Sequence, residues 1–444
     1  MTFGARDLTI GVDVGTTSVK GVLVDNAGNV RASVRIPHRV AFPAPDRIEH
    51  DARKAWRQAP RRVLARLGTS EVRGIGVTGM GPSLTAVNRN GVPQGPGLLY
   101  GDARGREMQD GSGESFGFLR ALATERPWAA GFWPAQTTAI VSLGGPPVIG
   151  ETIAMMMQPL WNGTGWDEDR LAACGVRVGQ MPAVCPDGSP ATIGTSPVIE
   201  AGSLDAACEA LAAGTVGADE MLVLLGSTLV MLMPVPNGTV VPGIWSYPTD
   251  MGWMATGASN AGGLFLDWVD QVVARSDGHV DPERVPIWTP YIRGERTPWH
   301  DPMRRASLID LNVTHDASSI RRAAFEASGF VVRHHMELCG CRPRSIVAAG
   351  GGSAVAQWIQ ALADCTGIPV TTTGTVAGAA IGAAFMARVA AGLEESPADA
   401  VRWARRGATI VPDPTWQEAV YGRYQRFLEL VSDVTSSNSK RSSP

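Results

Sequence analysis

Lysine is nearly missing from this chain of 444 residues: it occurs only at Lys20, Lys54 and Lys440, and arginine supplies almost all the remaining positive charge. The scarcity reads as a coding bias, since no spacing makes use of it. Charge of either sign is not in excess: the net of −3 gives no reason to expect nucleic acid or an anionic membrane as partner. Cysteine is sparse too. Six are scattered along the chain, which argues against a disulfide framework and predicts free thiols in the cytoplasm. Cys339-Gly340-Cys341 lacks the two-residue gap of a zinc knuckle. His334 and His335, adjacent on a predicted helix, point about 100° apart and make a poor ligand pair. The most apolar stretch, Met221 to Val235, is too short to span a bilayer and contains Gly, Ser and Thr. Met1 to Asp7 show no basic segment followed by an apolar core, so no export signal is expected.

What remains is the composition of a globular chain, 44% apolar and 18% charged, long enough for two or three domains. Within it one pattern occurs twice. Leu8 to Val12 reads as a buried strand and Gly21 to Val24 as its hairpin partner. The turn between them, Asp13-Val14-Gly15-Thr16-Thr17-Ser18, gathers a carboxylate, a glycine and three hydroxyls. Those residue types suit any tight turn. They can also offer N–H groups and hydroxyls to phosphate oxygens while the carboxylate holds a hydrated Mg²⁺. The second copy runs from Met221-Leu222-Val223-Leu224-Leu225 through Gly226-Ser227-Thr228 to Leu229-Val230-Met231-Leu232-Met233, and reaches the turn Pro236-Asn237-Gly238. Two similar hairpins half a chain apart predict two domains of one architecture facing each other.

Between the hairpins, strands and helices alternate as in an α/β domain with a mixed sheet. A third strand is expected over Asn29 to Val40, a helix capped by Asp51 over Ala52 to Leu67, and a buried strand at Gly74 to Val77. Short strands flank Asn88-Arg89-Asn90-Gly91. Residues 111–197, rich in Gly, Pro and Trp, show weak helical patterning. A clear helix covers Ala206 to Ala213, and the second repeat begins near Gly217. Asp316 caps a long helix from Ala317 to about Cys339. Ser345 to Ala349 is a strand, followed by a helix to Cys365, and Gly378 to Gly392 is another apolar helix. The Ser-rich tail from Ser432 is expected to be disordered.

Several residues carry a chemical reading beside a structural one. Asp205, where a β segment meets a helix N-terminus, suits helix capping; it equally suits a general base accepting the proton of an attacking alcohol. Gly350-Gly351-Gly352 is a tight turn, or a close approach of backbone to a nucleotide at a helix N-terminus. No Lys follows it, so it is not a Walker motif, and it lacks the spacing of a dinucleotide fingerprint. Gly294-Glu295-Arg296-Thr297-Pro298 reads as a loop with a surface ion pair. Asp102 and Arg104 bridge each other, or bind a polyol by charge-assisted hydrogen bonds.

In order along the chain, several segments resemble the FGGY family of carbohydrate kinases, within the actin and sugar-kinase ATPase group. They are Gly11-Val12-Asp13-Val14-Gly15-Thr16-Thr17-Ser18, Gly79-Met80-Gly81, Tyr100-Gly101-Asp102-Ala103-Arg104, Gly202-Ser203-Leu204-Asp205 and Leu225-Gly226-Ser227-Thr228. After them come Gly294-Glu295-Arg296-Thr297-Pro298 and Gly350-Gly351-Gly352-Ser353 with Gln360, Ala363 and Asp364. The resemblance covers roughly residues 8 to 395 and is weakest between 110 and 195. It implies an α/β fold of two ribonuclease-H-like domains with an interdomain cleft closing over ATP, Mg²⁺ and a sugar. Residues 1–215 would bind sugar and carry the Mg/phosphate hairpin, 216–431 would bind nucleotide, and 432–444 would form the tail.

By position, Asp13 would organise the metal, while Gly15, Thr16, Thr17 and Ser18 would face the phosphates. Gly226, Ser227 and Thr228 would bind phosphate from the second domain, and Gly351, Gly352 and Ser353 would lie against the nucleoside. Met80, Gly81, Asp102 and Asp205 would border the acceptor, with Asp205 as base. Where xylulose kinases of the family carry Met-His this chain has Met80-Gly81-Pro82, and the Arg-Glu pair of glycerol kinases is absent. Met155-Met156-Met157 replaces an expected polar helix. The expectation is a cytoplasmic kinase for a ketopentose such as D-xylulose or for a related ketose or polyol, with a small-molecule partner and a homodimer as candidate assembly. A sensor or scaffold that binds nucleotide without transfer is the alternative; a polymerising ATPase leaves Asp205 unexplained.

Overall fold

The computed structural model describes residues 7–44, 46–105, 113–215, 219–249, 252–276, 278–374 and 377–439. The expected start of the second repeat near Gly217 and the last five tail residues lie outside them.

The first apolar runs form an antiparallel meander of β1 (Leu8–Val14), β2 (Ser18–Val24) and β3 (Val30–Pro37). β1 is buried from Thr9 to Val14, the continuous pattern of a strand covered on both faces. β3 stops at Pro37, short of Val40, because proline has no N–H for the ladder. A two-residue strand, β4 (Glu49–His50), follows. Asp51 Oδ1 then accepts from the Lys54 N–H at 3.1 Å, and a π-helical turn over Arg53–Gln58 leads into α1 (Ala59–Leu67). β5 (Val72–Gly79) lies parallel to β1. On its far side are two short parallel strands, β6 (Val198–Ile199) and β7 (Ser203–Leu204). The path across this sheet is β3-β2-β1-β5-β6, with β7 also on β5. β7 runs straight into α2 (Asp205–Ala213), which Gly214 closes in the left-handed conformation at φ 66°.

The second sheet contains β8 (Glu220–Leu225), β9 (Leu229–Val235), β10 (Trp245–Thr249), β11 (Gly252–Ser259), β12 (Ser345–Ala349), β13 (Val370–Thr373) and β14 (Arg406–Ile410). Its path is β10-β11-β9-β8-β12-β13-β14. Within it, β11-β9-β8-β12-β13 matches β3-β2-β1-β5-β6 strand for strand and direction for direction. The repeat seen in two hairpins therefore extends to two whole sheets with ribonuclease-H-like order. α3 (Gly263–Val272), α4 (Ala317–Cys339) and α5 (Ala356–Thr366) belong to this half. Asp316 caps α4 through the Ser319 N–H at 2.9 Å, as its sequence position implies.

The molecule divides into two compact units, Met1–Gly214 with Ala377–Ala404, and Thr215–Val376 with Arg405–Pro444. A single cut at residue 215 misses this exchange. Its physical basis is α6 (Gly378–Ala390), whose small residues Ala380, Ala383 and Ala387 lie against β1 and β5. Gly11 and Gly76 leave room there: a β-carbon on either would overlap a carbonyl oxygen of α6.

The middle of the chain is more ordered than its patterning suggests. Helices cover Glu114–Glu125, Ala135–Ser142, Glu151–Met155 and Glu168–Ala173. Ala135 to Ile140 are all buried, so no one-sided period marks that helix in the sequence. The tail likewise departs from expectation: α7 (Gln417–Ser439) continues past Ser432, since no Gly or Pro interrupts it after Gly422. Among the described residues no helix is long and apolar enough to cross a membrane.

Candidate active site

In open α/β sheets, ligands gather beyond the carboxyl ends of the parallel strands. In the first unit those ends are aligned: Asp13 pairs with Thr78 and Thr78 with Ser203, one residue before Val14, Gly79 and Leu204. Adjacent strands lie about 4.8 Å apart, so the backbones carrying Asp13 and Asp205 are separated by about 10 Å across one sheet edge. The two carboxylates singled out in the sequence, 192 positions apart, are brought together by two strand pairings.

Asp13 is buried, 6% exposed, and burial pushes its carboxyl up to about 6, with Lys20 pulling the other way. Lys20 sits opposite it in the hairpin register, Nζ 3.9 Å from Oδ2. One of the three lysines thus stands beside Asp13. Glu209 is a second residue not foreseen. It lies one helical turn beyond Asp205 on the same face of α2, an i, i+4 spacing visible in the sequence. Its carboxylate accepts from the Ala379 N–H at the start of α6, and Gly378 has no β-carbon to collide with it. Burial, reinforced by the charge of Asp13, pushes Glu209 up to about 7.

Gly15 N–H donates across the turn to Ser18 O at 3.2 Å, closing the hairpin tip. Thr16 Oγ1 is 2.8 Å from Tyr100 OH, and Thr17 is the exposed residue of the turn. Ser18 departs from the expected phosphate-facing role: its side chain is buried and accepts from Arg35 Nε at 3.1 Å, because β2 has already begun there.

Asp205 is half-buried and its Oδ1 accepts from the Ala206 N–H at 2.7 Å. Gly81 is half-buried beside it, with Leu204 and Met156 packed near its α-carbon. The other two expected acceptor contacts are corrected by the structure. The Met80 side chain belongs to the core, 2% exposed. Asp102 is wholly buried: Oδ1 accepts from Arg104 N and Nε, both at 2.9 Å, and Oδ2 from Ile48 N and Arg104 Nη2, both at 2.7 Å. Four bonds occupy that carboxylate, so it shapes the loop below the site and has no lone pair left for a sugar.

The second unit has its own aligned strand ends, Leu224 on β8 pairing with Ala349 on β12. Gly226 N–H donates back to Thr228 O at 3.1 Å, closing a turn one residue shorter than that of the first hairpin. The turn's carbonyls are used by α3: Gly263 N–H donates to Gly226 O at 2.8 Å and Leu264 N–H to Ser227 O at 3.0 Å. Ser227 is exposed, with Gly226 and Thr228 half-buried. Gly350 takes φ 86° against Leu225, Gly351 is open to solvent, and Ser353 Oγ donates to Gly350 O at 2.7 Å. A 3₁₀ turn over Gly351–Ala354 precedes α5, so the glycines do not themselves open the α-helix. Gln360 and Asp364 are structural: Asp364 accepts from Arg322 Nη2 at 2.7 Å and from Gln360 Nε2 at 2.9 Å.

Glu295 is not half of a surface ion pair. It is 3% exposed and accepts from Ser259 Oγ at 2.7 Å, Asn260 N at 3.1 Å and Arg296 N at 2.6 Å, fixing the corner that feeds α3 onto the Gly226 turn. Burial pushes its carboxyl up to about 7 against those bonds. The folded chain keeps this proton where the unfolded chain, at the ordinary 4.5, has lost it, so stability falls as pH rises from 4.5 to about 7. Glu295→Gln keeps the shape without the titration. Thermal unfolding should show its melting temperature gaining on wild type between about pH 5 and pH 8; parallel profiles would remove Glu295 from that account.

Two family models match this chain: the FGGY family of carbohydrate kinases, N-terminal domain, over residues 8–114, and the C-terminal domain of the same family over 221–391. The chain is 27% identical to a xylulose kinase of Escherichia coli (strain K12), over 96% of this chain and 99% of that one. Its fold matches a ligand-bound xylulose kinase from Lactobacillus acidophilus at TM-score 0.84 and 20% identity, covering 98% of this chain and all of the other. A gluconate kinase from the same organism matches at TM-score 0.85 and 20% identity, with the same coverage.

Proposed function

The chain belongs to the FGGY family of carbohydrate kinases and is an ATP-dependent sugar kinase; on that premise we propose D-xylulose as the acceptor, Asp205 as general base and Mg²⁺ as the metal. The observation that carries the reading is the register that sets Asp13 and Asp205 at one sheet edge. In the first unit Asp205 is the base and Asp13 the metal-organising carboxylate; in the second unit, taken by itself, Gly226, Ser227 and Thr228 are the phosphate residues and Gly351, Gly352 and Ser353 the nucleoside residues.

The donor set fits Mg²⁺. Asp13 is a desolvated carboxylate beside one cation, and among the described residues no group of three or more His, Cys, Asp or Glu side chains gathers to hold a metal alone. A Mg²⁺ bound by one carboxylate, water and phosphate oxygens has that character. When bound, it neutralises charge on the donor's phosphates. Asp205 accepts the proton of the attacking hydroxyl. Thr16, Thr17 and the turn's N–H groups orient the phosphates, and Lys20 offsets the negative charge that collects beside Asp13. Met80 in the core and Asp102 committed to Arg104 favour a second acceptor reading, another ketose or polyol held by fewer side-chain contacts.

A panel of ketoses and polyols with Mg-ATP, read by ADP release and phosphorus NMR of the product, tests both. D-xylulose turning over best is the expected result. Preference for another acceptor moves the substrate and leaves the kinase; no turnover with any of them, alongside ATP binding by calorimetry, removes the sugar-transfer reading.

A further inference from the structure

We propose that His50 is a positioning residue of the first phosphate turn, holding the Thr16 carbonyl inside the fold so that the Thr17 N–H faces outward. The inference rests on the reading of that turn as a phosphate site.

His50 is 1% exposed and bonded at both ring nitrogens. Trp56 Nε1 lies 3.0 Å from Nδ1, and Thr16 O lies 2.7 Å from Nε2. An indole N–H only donates, so Nδ1 is the acceptor; the proton of a neutral imidazole is then on Nε2 and donates to the Thr16 carbonyl. Both ends of the ring are assigned by their partners. Burial, with the His38 ring edge-on at 4.5 Å, holds the imidazole neutral, its pKa pushed down to about 4.

The consequence follows from peptide geometry. In a planar trans peptide the C=O of one residue and the N–H of the next point in opposite directions. Anchoring Thr16 O inward therefore turns the Thr17 N–H outward, at the one turn residue whose side chain is exposed. The neighbouring groups are fixed as well: Thr17 O accepts from the His38 N–H at 3.0 Å, and Tyr100 OH holds the Thr16 hydroxyl. A donor oriented before the phosphate arrives costs nothing to orient afterwards.

Steady-state kinetics of His50→Leu and His50→Gln, with imidazole ¹⁵N NMR of the wild type, test this. His50→Leu should raise KM for Mg-ATP about tenfold, the worth of one lost buried hydrogen bond, and leave KM for the sugar within about twofold. His50→Gln, whose amide N–H can reach the same carbonyl, should recover most of the loss. The NMR should show the proton on Nε2. An unchanged KM for ATP in His50→Leu, or a proton on Nδ1, overturns the proposal. Should His50→Leu not fold, the glutamine variant and the wild-type tautomer decide. Should the wild type bind ATP without phosphorylating any sugar, the ATP dissociation constant replaces KM: the acceptor reading then fails while the role of His50 stands or falls on its own.

Discussion

Asp205→Asn should lower sugar-dependent ADP release by about 10³- to 10⁴-fold and leave ATP affinity unchanged. The replacement is nearly isosteric. An asparagine side-chain oxygen can still accept from the Ala206 N–H, so the β7–α2 corner keeps that bond. What disappears is a group able to take a proton. A sugar hydroxyl is a poor nucleophile until its proton leaves, and at the rim of this sheet Asp205 follows directly from the strand end aligned with Gly79 and Val14. Glu209, one turn further along, is engaged with the Ala379 N–H at the start of α6, so it is badly placed to substitute. Coupled-assay turnover with isothermal calorimetry separates the two quantities. Turnover within tenfold of wild type, with ATP bound normally, would take Asp205 out of the base role and leave helix capping as its explanation.

Much of this was legible because the chain states it twice. The hairpins at Asp13 and Gly226 share a glycine, hydroxyls and an apolar strand on either side, and each forms the same antiparallel pair in its own sheet. Asp316 and Gly214 mark helix ends by chemistry that operates over three or four residues, and the structure places the ends there. What could not be read depends on distant partners. Ala135 to Ile140 are surrounded on every side, which erases the period that would announce their helix. Asp102 looks like a ligand-binding carboxylate until the Ile48 N–H and the Arg104 fork are seen to fill it. Glu295 looks like a surface charge until β11 folds over it. His50 carries no motif; its role needs Thr16, 34 positions before it, and Trp56, six after it, at once. In each case a local pattern gives the residue's chemistry, and only tertiary contact decides whether that chemistry is already spent.

Gly11→Ala should destabilise the first unit by about 3 kcal/mol or more, although it adds a single methyl group to a buried strand. The added carbon would overlap Ala380 O and lie 2.6 Å from Ala384 N and 2.8 Å from Ala380 C. All three are backbone atoms of α6, so no rotamer change relieves them. The helix cannot simply retreat either, because its other side is pinned: Gly382 meets the backbone of Cys208 in α2 just as closely. Displacing α6 therefore pushes on the helix that begins at Asp205 and carries Glu209, so residual activity should fall together with stability. The apparent melting temperature should drop by about 5–10 °C, given the size of the unit. Gly422→Ala is the matched control. In α7 a β-carbon there meets nothing within 4 Å, so removing a helix-interior glycine should be neutral or stabilising by up to about 1 kcal/mol. The same substitution at two glycines then takes opposite signs, set by what each α-carbon touches. Equal effects at the two sites would mean that α6 does not rest on β1 through that glycine.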